Sequence, residues 1–292
     1  MDKPVGLGST QAVGAVKRLL RQGGYPKARV GHGGTLDPLA SGVLPIAIGE
    51  ATKLSGRMLD ADKAYDFTVR FGVQTDTLDT EGQVVAESSI RPTRAEIEAI
   101  LPRFTGPLEQ LPPAFSALKI DGKRAYDLAR AGQEVVLAMR SVTIHALTLQ
   151  ATGDGALEDA TFSARVSKGT YIRSLARDIS EALGTVGHVT MLRRTKAGPF
   201  SLEKAISLDI LEEAARAARL QELLLPLTAG LDDIPVLAVS PDQAAALRQG
   251  RRLTGTAATP GLSLAMLGDM PVALVEAGDD VKVVRGFNLM SE

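Results

Sequence analysis

The 292-residue sequence has no cysteine and no tryptophan, and it has only three histidines and four tyrosines. Without cysteine there is no disulfide, no thiolate metal site and no cysteine nucleophile. Three histidines leave little from which to build an imidazole zinc centre. Long apolar runs are also absent: no stretch reaches bilayer length, and Met1-Asp2-Lys3-Pro4 lacks the apolar core of a signal peptide. A cytoplasmic protein without metal, cofactor or membrane partner is the expectation. Nor is there an excess of one charge. Thirty-three Lys and Arg stand against 34 Asp and Glu, a formal net charge of -1, without the basic surplus that marks many nucleic-acid binders. What is present is ordinary for a globular chain, with 45% hydrophobic and 23% charged residues. The length suits one large domain plus a small one.

The most informative run is Gly31-His32-Gly33-Gly34-Thr35-Leu36-Asp37-Pro38-Leu39-Ala40-Ser41-Gly42-Val43-Leu44-Pro45. It sets one carboxylate, Asp37, between a glycine-rich approach and a proline. Glycines let the backbone come close to a ligand, and Pro38 biases Asp37 away from helix. By itself this pattern suits two readings, an acidic side chain held in a cleft or a Gly/Pro turn with a solvated Asp.

Periodicity places other residues on elements. Val13, Val16 and Leu20 share a face of a helix from Ser9 to Arg21, stopped by Gly23-Gly24. Tyr65, Phe67, Val69 and Phe71 alternate with Asp66, Thr68 and Arg70, which predicts a half-buried strand with Tyr65 on its apolar side. Thr93 and Glu96 form a capping box opening a helix to about Phe104. Phe162, Ala164 and Val166 predict a strand, and Ile172, Leu175, Ile179 and Leu183 a helix ended by Gly184. Tyr171 and Arg173 then lie in that helix's first turn, where anions are favoured. Beyond Phe200 a helix is expected from about Leu208 to Leu225, then a linker over 230–235. A strand at Val236-Val239, a helix capped by Ser240 and Gln243, and a hairpin turning at Gly278-Asp279-Asp280 follow.

Basic residues cluster even though the total is balanced. Lys17, Arg18, Arg21, Lys27 and Arg29 precede the Asp37 loop. Lys119, Lys123, Arg124 and Arg130 form a second group, Arg193, Arg194 and Lys196 a third, and Arg248, Arg251 and Arg252 a fourth. Acidic residues collect elsewhere, at Asp209-Glu212-Glu213 and Asp232-Asp233. One basic face on a neutral body can neutralise phosphates, although each cluster also suits a solvated helix face.

The run from Gly31 to Pro45 resembles the catalytic motif of the TruB family of tRNA pseudouridine synthases. Further segments resemble that family's motifs in order. They are Asp2-Lys3-Pro4-Val5-Gly6 with Ser9, Gly49-Glu50-Ala51-Thr52-Lys53, Asp62-Lys63-Ala64-Tyr65, and Ala114-Phe115-Ser116-Ala117-Leu118-Lys119 with Gly122-Lys123-Arg124-Ala125-Tyr126. Ser167-Lys168-Gly169-Thr170-Tyr171-Ile172-Arg173 and Gly187-His188-Val189-Thr190-Met191-Leu192-Arg193-Arg194 complete the set.

The resemblance implies a mixed α/β (α+β) fold, a pseudouridine synthase domain over about 1–232 with a largely antiparallel sheet flanked by helices. It implies a small β-rich, PUA-like RNA-binding module over 233–292, for which an ordinary packing module is the competing reading. About 115–135 resembles the family's mobile, RNA-clamping insertion. The implied reaction breaks the glycosidic bond of a tRNA T-loop uridine (uridine-55 in tRNA nomenclature), rotates the uracil and rejoins it through carbon 5. It is redox-neutral and asks for no cofactor. Asp37 is implied as the catalytic carboxylate. Attack on the ring, attack on the sugar and abstraction of a sugar proton all remain open. Arg173 is its implied partner. Tyr65 is implied to stack on the flipped base and help move the carbon-5 proton, and Tyr171 is a second pocket tyrosine. His32 occupies the displaced-base region, Leu192 forms pocket wall, and Lys53 and Lys3 are RNA-backbone or structural lysines. The T-arm of tRNA is the implied partner of a monomeric protein.

Two departures accompany the resemblance. The family usually carries an apolar strand just before the motif that starts here at Asp2, so either the start is shortened or a neighbouring strand lacks a partner. Gly33 stands where the family commonly has threonine, which removes a hydroxyl. Three further readings differ in function: a synthase acting on ribosomal or guide-selected RNA, a tRNA-folding factor working on the T-arm elbow without catalysis, and a phosphate-cradling nucleotide enzyme. The last lacks a GxxxxGK[ST] motif.

Overall fold

A computed structural model describes residues 1–289 except 117, 121, 134, 136, 151, 152, 154 and 257; the side chains of 119, 120, 123, 124, 129 and 130 also lie outside the description. The basic group Lys119, Lys123, Arg124 and Arg130 therefore has backbone positions only. The chain forms two compact units, each assembled from non-contiguous stretches. The first comprises Met1–Ser9, Thr35–Leu44 and Leu59–Ser207; the second comprises Thr10–Gly34, Pro45–Met58 and Leu208–Glu292.

The first unit is built on one sheet. Its strands are β1 (Asp2–Lys3), β2 (Ser41–Val43), β3 (Lys63–Phe71), β4 (Gly106–Gln110), β5 (Arg140–Leu149), β6 (Asp159–Val166) and β7 (Gly187–Ala197). Among the described residues they lie in the order β1-β2-β7-β3-β6-β5-β4, with Phe200–Ser201 folding back on β7. The β2–β7 pair is parallel and the other pairs are antiparallel, so the sheet is largely antiparallel as expected. Strand β2 has β1 on one side and β7 on the other, and the outer side of β1 makes a bridge from Asp2 to Ser207.

Alternation decides which face of β3 is buried. Phe67, Val69 and Phe71 are fully buried, and Tyr65 shares their parity. Opposite them stand Phe162 and Ala164 on β6 and Leu192 and Arg194 on β7. Directly opposed residues point to the same side, and Phe67 stacks on Phe162 with ring centroids 5.3 Å apart. The helix Ile172–Ala182 packs on β3 and β7 and buries Ile172, Leu175, Ala176 and Ile179. The predicted capping box of the helix Arg94–Ile100 is present in full, and a 3-10 turn continues to Phe104.

In the second unit the helix Ser9–Gln22 turns Val16, Leu19 and Leu20 onto Ala214, Ala215 and Leu220. A five-stranded C-terminal sheet runs in the order Val236–Ala238, Gly261–Leu267, Met270–Ala277, Asp280–Gly286, Leu253–Thr254, consistent with a small β-rich, PUA-like module. Its helix Pro241–Arg248 carries the expected capping box of Ser240 and Gln243. The strand Gly261–Leu267 is additional to those the sequence predicted.

Two expectations need correction here. The helix from Leu208 stops at Arg216 and a separate 3-10 turn covers Leu220–Leu223. Between them Ala218 takes φ 53°, and the Arg219 N–H donates to the Ala214 carbonyl at 2.8 Å. This is a left-handed helix stop of the kind glycine usually serves, made here by alanine, so no glycine or proline marks it. The stretch expected as a linker is packed instead: Leu231 is 2% exposed in a cluster with Leu54, Leu264, Leu274 and Phe287.

Candidate active site

The loop carrying Asp37 belongs to the first unit and is tied down at nearly every residue. Its core, Leu36, Leu39, Ala40, Val43 and Leu44, is buried. The Ser9 hydroxyl both donates to the Leu36 carbonyl and accepts from the Leu36 N–H, each at 2.8 Å. The Gly6 N–H donates to the Pro38 carbonyl at 2.7 Å, and the Ala40 N–H closes a turn on the Asp37 carbonyl at 3.1 Å. Pro38 occupies the second position of that turn, where its fixed φ fits. Asp37 is left with its side chain 34% exposed, an acid held at the surface by a buried frame.

Arg173 is the partner the resemblance implied. It is the second residue of the Ile172–Ala182 helix, with Tyr171 at the N-cap rather than inside the first turn. Its Nη2 lies 3.0 Å from Asp37 Oδ2, and its own side chain is only 6% exposed. Nη2 also donates to the Phe115 carbonyl at 2.9 Å, and Nη1 to the Thr77 carbonyl at 2.8 Å. A second carboxylate, Asp79, faces the same guanidinium: its Oδ2 is 3.2 Å from Nη1, and its side chain is 2% exposed. Asp79 accepts from the Thr77 hydroxyl at 2.6 Å and from the Glu81 N–H at 2.9 Å. Beside it Leu78 holds φ 62°, a left-handed backbone that is uncommon for a residue other than glycine.

Three members of this site were not singled out from the sequence. Asp79 sits in Asp76-Thr77-Leu78-Asp79-Thr80-Glu81-Gly82, which reads as an acidic surface turn; flanking hydroxyls were the available clue. Gln110, buried at the end of β4, receives the Tyr171 N–H at 2.8 Å and donates to the Tyr171 carbonyl at 3.1 Å. One amide thereby serves both polar groups of that backbone residue at the helix entrance. Arg194 is the third. Expected as part of a basic cluster, it is 1% exposed. Its Nε donates to the Val43 carbonyl at 2.7 Å and its Nη1 to the Thr35 carbonyl at 3.1 Å. Of that cluster only Lys196 is exposed, since Arg193 pairs with Asp2 at 2.8 Å.

Lys3 is fully buried. Its ammonium donates to the carbonyls of Pro4 at 2.9 Å, Leu7 at 2.6 Å and Pro38 at 3.4 Å. Burial lowers its pKa to about 8, against the opposing pull of the Asp37 charge and with added repulsion from Arg194. Burial likewise raises the Tyr171 hydroxyl above its ordinary value. Leu192 is buried beside Phe67, and Tyr65 is half-buried.

His32 and Lys53 belong to the second unit. His32 lies half-buried on the strand Val30–His32, paired with Ile46. Lys53 Nζ is 2.7 Å from Glu50 Oε2 and donates to the Gly286 carbonyl at 2.9 Å. Lys17, Arg18, Arg21, Lys27 and Arg29 are exposed. The acidic groups expected elsewhere do meet basic ones in this unit: Glu212 lies 3.4 Å from Arg18 and Asp233 lies 2.5 Å from Arg57. Gly33, standing where threonine is common, has no room for a side chain, since a Cβ there would lie 2.5 Å from Met58 Cβ. Among the described residues no helix is long and apolar enough to cross a membrane.

The model of the TruB family pseudouridylate synthase N-terminal domain matches residues 17–172, and that of the tRNA pseudouridylate synthase B C-terminal domain matches residues 173–232. A tRNA pseudouridine synthase B from Novosphingobium aromaticivorans is 64% identical over 99% of this chain and 96% of that relative. One from Zymomonas mobilis is 60% identical over 99% of this chain and 94% of the relative. Among solved structures, a Cbf5-Nop10-Gar1 complex contains a chain similar at TM-score 0.71 and 27% identity, covering 98% of this chain and 83% of that one. A chain of an H/ACA RNP bound to a substrate RNA shares the fold at TM-score 0.73 and 24% identity, with the same coverage. The motifs, the sheet and these matches agree, and the chain belongs to the TruB family of pseudouridylate synthases.

Proposed function

We propose that this protein converts the T-loop uridine of tRNA, uridine-55, to pseudouridine, with Asp37 as the catalytic carboxylate. The observation that carries the reading is the Asp37 carboxylate held half-exposed, 3.0 Å from a buried guanidinium, on a loop whose backbone is fixed on both sides. Arg173 pairs with one carboxylate oxygen and leaves the other facing outward. The reaction breaks the bond from ribose C1′ to uracil N1, turns the base, and forms a bond from C1′ to C5; the C5 proton is lost and N1 gains one. Asp37 meets either the sugar or the ring during that exchange.

The target base lies within a folded loop and must be extruded first. Tyr65 is the proposed stacking face, worth about 1–3 kcal/mol for one base, and the hydroxyl nearest the C5 proton. Tyr171 and Leu192 are proposed to line the pocket, and His32 keeps the role that the family resemblance implies for it. Lys3 is proposed to serve from behind, holding the Pro38 backbone next to Asp37, and Lys53 to hold the Gly286 backbone of the second unit. The exposed Lys17, Arg21, Lys27 and Arg29 are proposed phosphate contacts, so tRNA affinity should fall steeply with salt. Residues 233–292 are proposed as the small RNA-binding module and 1–232 as the catalytic part, acting as a monomer without cofactor.

The test is tritium release from an unmodified tRNA transcript labelled at uridine C5, with wild type and Asp37→Asn compared. Release by wild type alone, levelling near one equivalent per tRNA, is the expected result. Binding without release from either protein would overturn the proposal.

A further inference from the structure

The buried arginine of β7 touches more of the site than its place in a basic run suggests. Arg194 stands in the sheet between two proposed reacting elements. Its backbone pairs with Tyr65 of β3 on one side and with Gly42 of β2 on the other. Its guanidinium then reaches along the Asp37 loop and donates to the carbonyl of Thr35 at one end and of Val43 at the other. A planar guanidinium fixes two acceptors in one mutual geometry, which a lysine ammonium cannot do.

Two further observations show how closely this junction is fitted. Gly42 has φ 104°, and a Cβ there would overlap the Arg194 carbonyl, so only glycine lets β2 lie this near β7. On the other side, the β7–β3 register shifts between Arg194 and Lys196. That irregularity falls at the pair that includes Tyr65, and such features re-aim side chains beside active sites.

We propose that Arg194 is a positioning residue that holds the Asp37 loop in register with the strand carrying Tyr65. The inference rests on the reading of Asp37 and Tyr65 as reacting groups. Arg194 touches no substrate; it sets the separation of two groups that do. Losing it leaves the RNA-facing surface unchanged while letting the loop ends drift, and a displacement of about 1 Å can cost about 100-fold in rate.

The experiment uses the full chain as wild type, Arg194→Gln, Arg194→Lys, Gly42→Ala and Asp37→Asn. For each, the single-turnover rate of tritium release at saturating tRNA is measured beside the tRNA Kd and the urea midpoint. Arg194→Gln is expected to slow the step about 100-fold with Kd within about threefold, and Arg194→Lys to recover part of the loss. Gly42→Ala, which breaks the same junction from the loop side, should show the same split. Unchanged rates in soluble variants would overturn the inference, as would rate and affinity falling together in proportion to folded protein. Failure of all three variants to fold would also overturn it, because the residue would then be structural only. A wild type that releases no tritium would instead remove the reading of Asp37 on which the inference stands.

Discussion

Asp79 holds the far side of the guanidinium that holds Asp37. Arg173 lies 3.0 Å from Asp37 Oδ2 and 3.2 Å from Asp79 Oδ2, so one cation serves two carboxylates in different surroundings. Asp79 is 2% exposed and Asp37 is 34% exposed. The buried acid balances the buried base, and the outer acid remains available to a ligand.

Asp37→Asn and Asp79→Asn should therefore fail in different ways. The first removes a half-exposed charge, so stability should change by no more than about 1 kcal/mol while isomerisation is lost. The second removes one partner of a buried pair, which costs about 3–5 kcal/mol, and lowers the rate by letting Arg173 shift. Urea unfolding and single-turnover release on both variants check this. Equal destabilisation by the two would contradict the division of roles.

Gln110→Leu should damage the site without touching a charged group. It strips the Gln110 bonds from the Tyr171 N–H and carbonyl; the carbonyl keeps the Leu175 N–H at 3.0 Å, so the Tyr171 N–H alone must find a new partner, at about 1–3 kcal/mol. Because Tyr171 is the N-cap of the helix that carries Arg173, release should slow as well. A variant as active as wild type would show that the helix entrance is held by other means.

At position 33 the common threonine should be harmful in this chain. Its Cβ would meet Met58 Cβ at 2.5 Å, and overpacking of this kind costs about 1–3 kcal/mol. Met58→Ala keeps the offending carbon and should not rescue Gly33→Thr. Met58→Gly should, after allowing about 1 kcal/mol for glycine in a helix. Thermal unfolding of the two double variants decides between the outcomes.

Lys3 gives a pH signature whose sign follows from its burial. The unfolded chain keeps this proton up to about 10.5, the native state only up to about 8. Between those values the unfolded state binds more protons, so stability rises with pH there. The difference in urea midpoint between wild type and Lys3→Met should accordingly grow in wild type's favour from pH 8 towards pH 10. A flat difference would mean that the native ammonium titrates at its ordinary value.

Much of the fold was legible because local signals agreed. The parity of Tyr65, Phe67, Val69 and Phe71, the two capping boxes and the stripe Ile172-Leu175-Ile179 each predict an element that is present. Strand β7 was hidden, since Thr190, Arg193, Arg194 and Lys196 blur its alternation, and the charge on Arg194 suggests solvent when the residue is buried. The helix stop at Ala218 had no glycine to announce it. Within the site, Asp37 and Arg173 were found through motifs, and the structure brings them together. Asp79 and Gln110 were not, because an acid in a turn and an amide at a strand end take their importance from partners distant in the chain.

The interleaving of the two units has a consequence for how the chain is made. The apolar face of the Ser9–Gln22 helix is covered by Ala214, Ala215 and Leu220, which a ribosome adding about 5–20 residues per second delivers many seconds later. Until then Val16, Leu19 and Leu20 have only Tyr25, Val30, Ile46 and Ile48 of that cluster to pack against. The nascent protein therefore carries an incompletely covered sticky stripe near its start through most of its synthesis, a natural landing place for a chaperone, and one that the finished molecule hides.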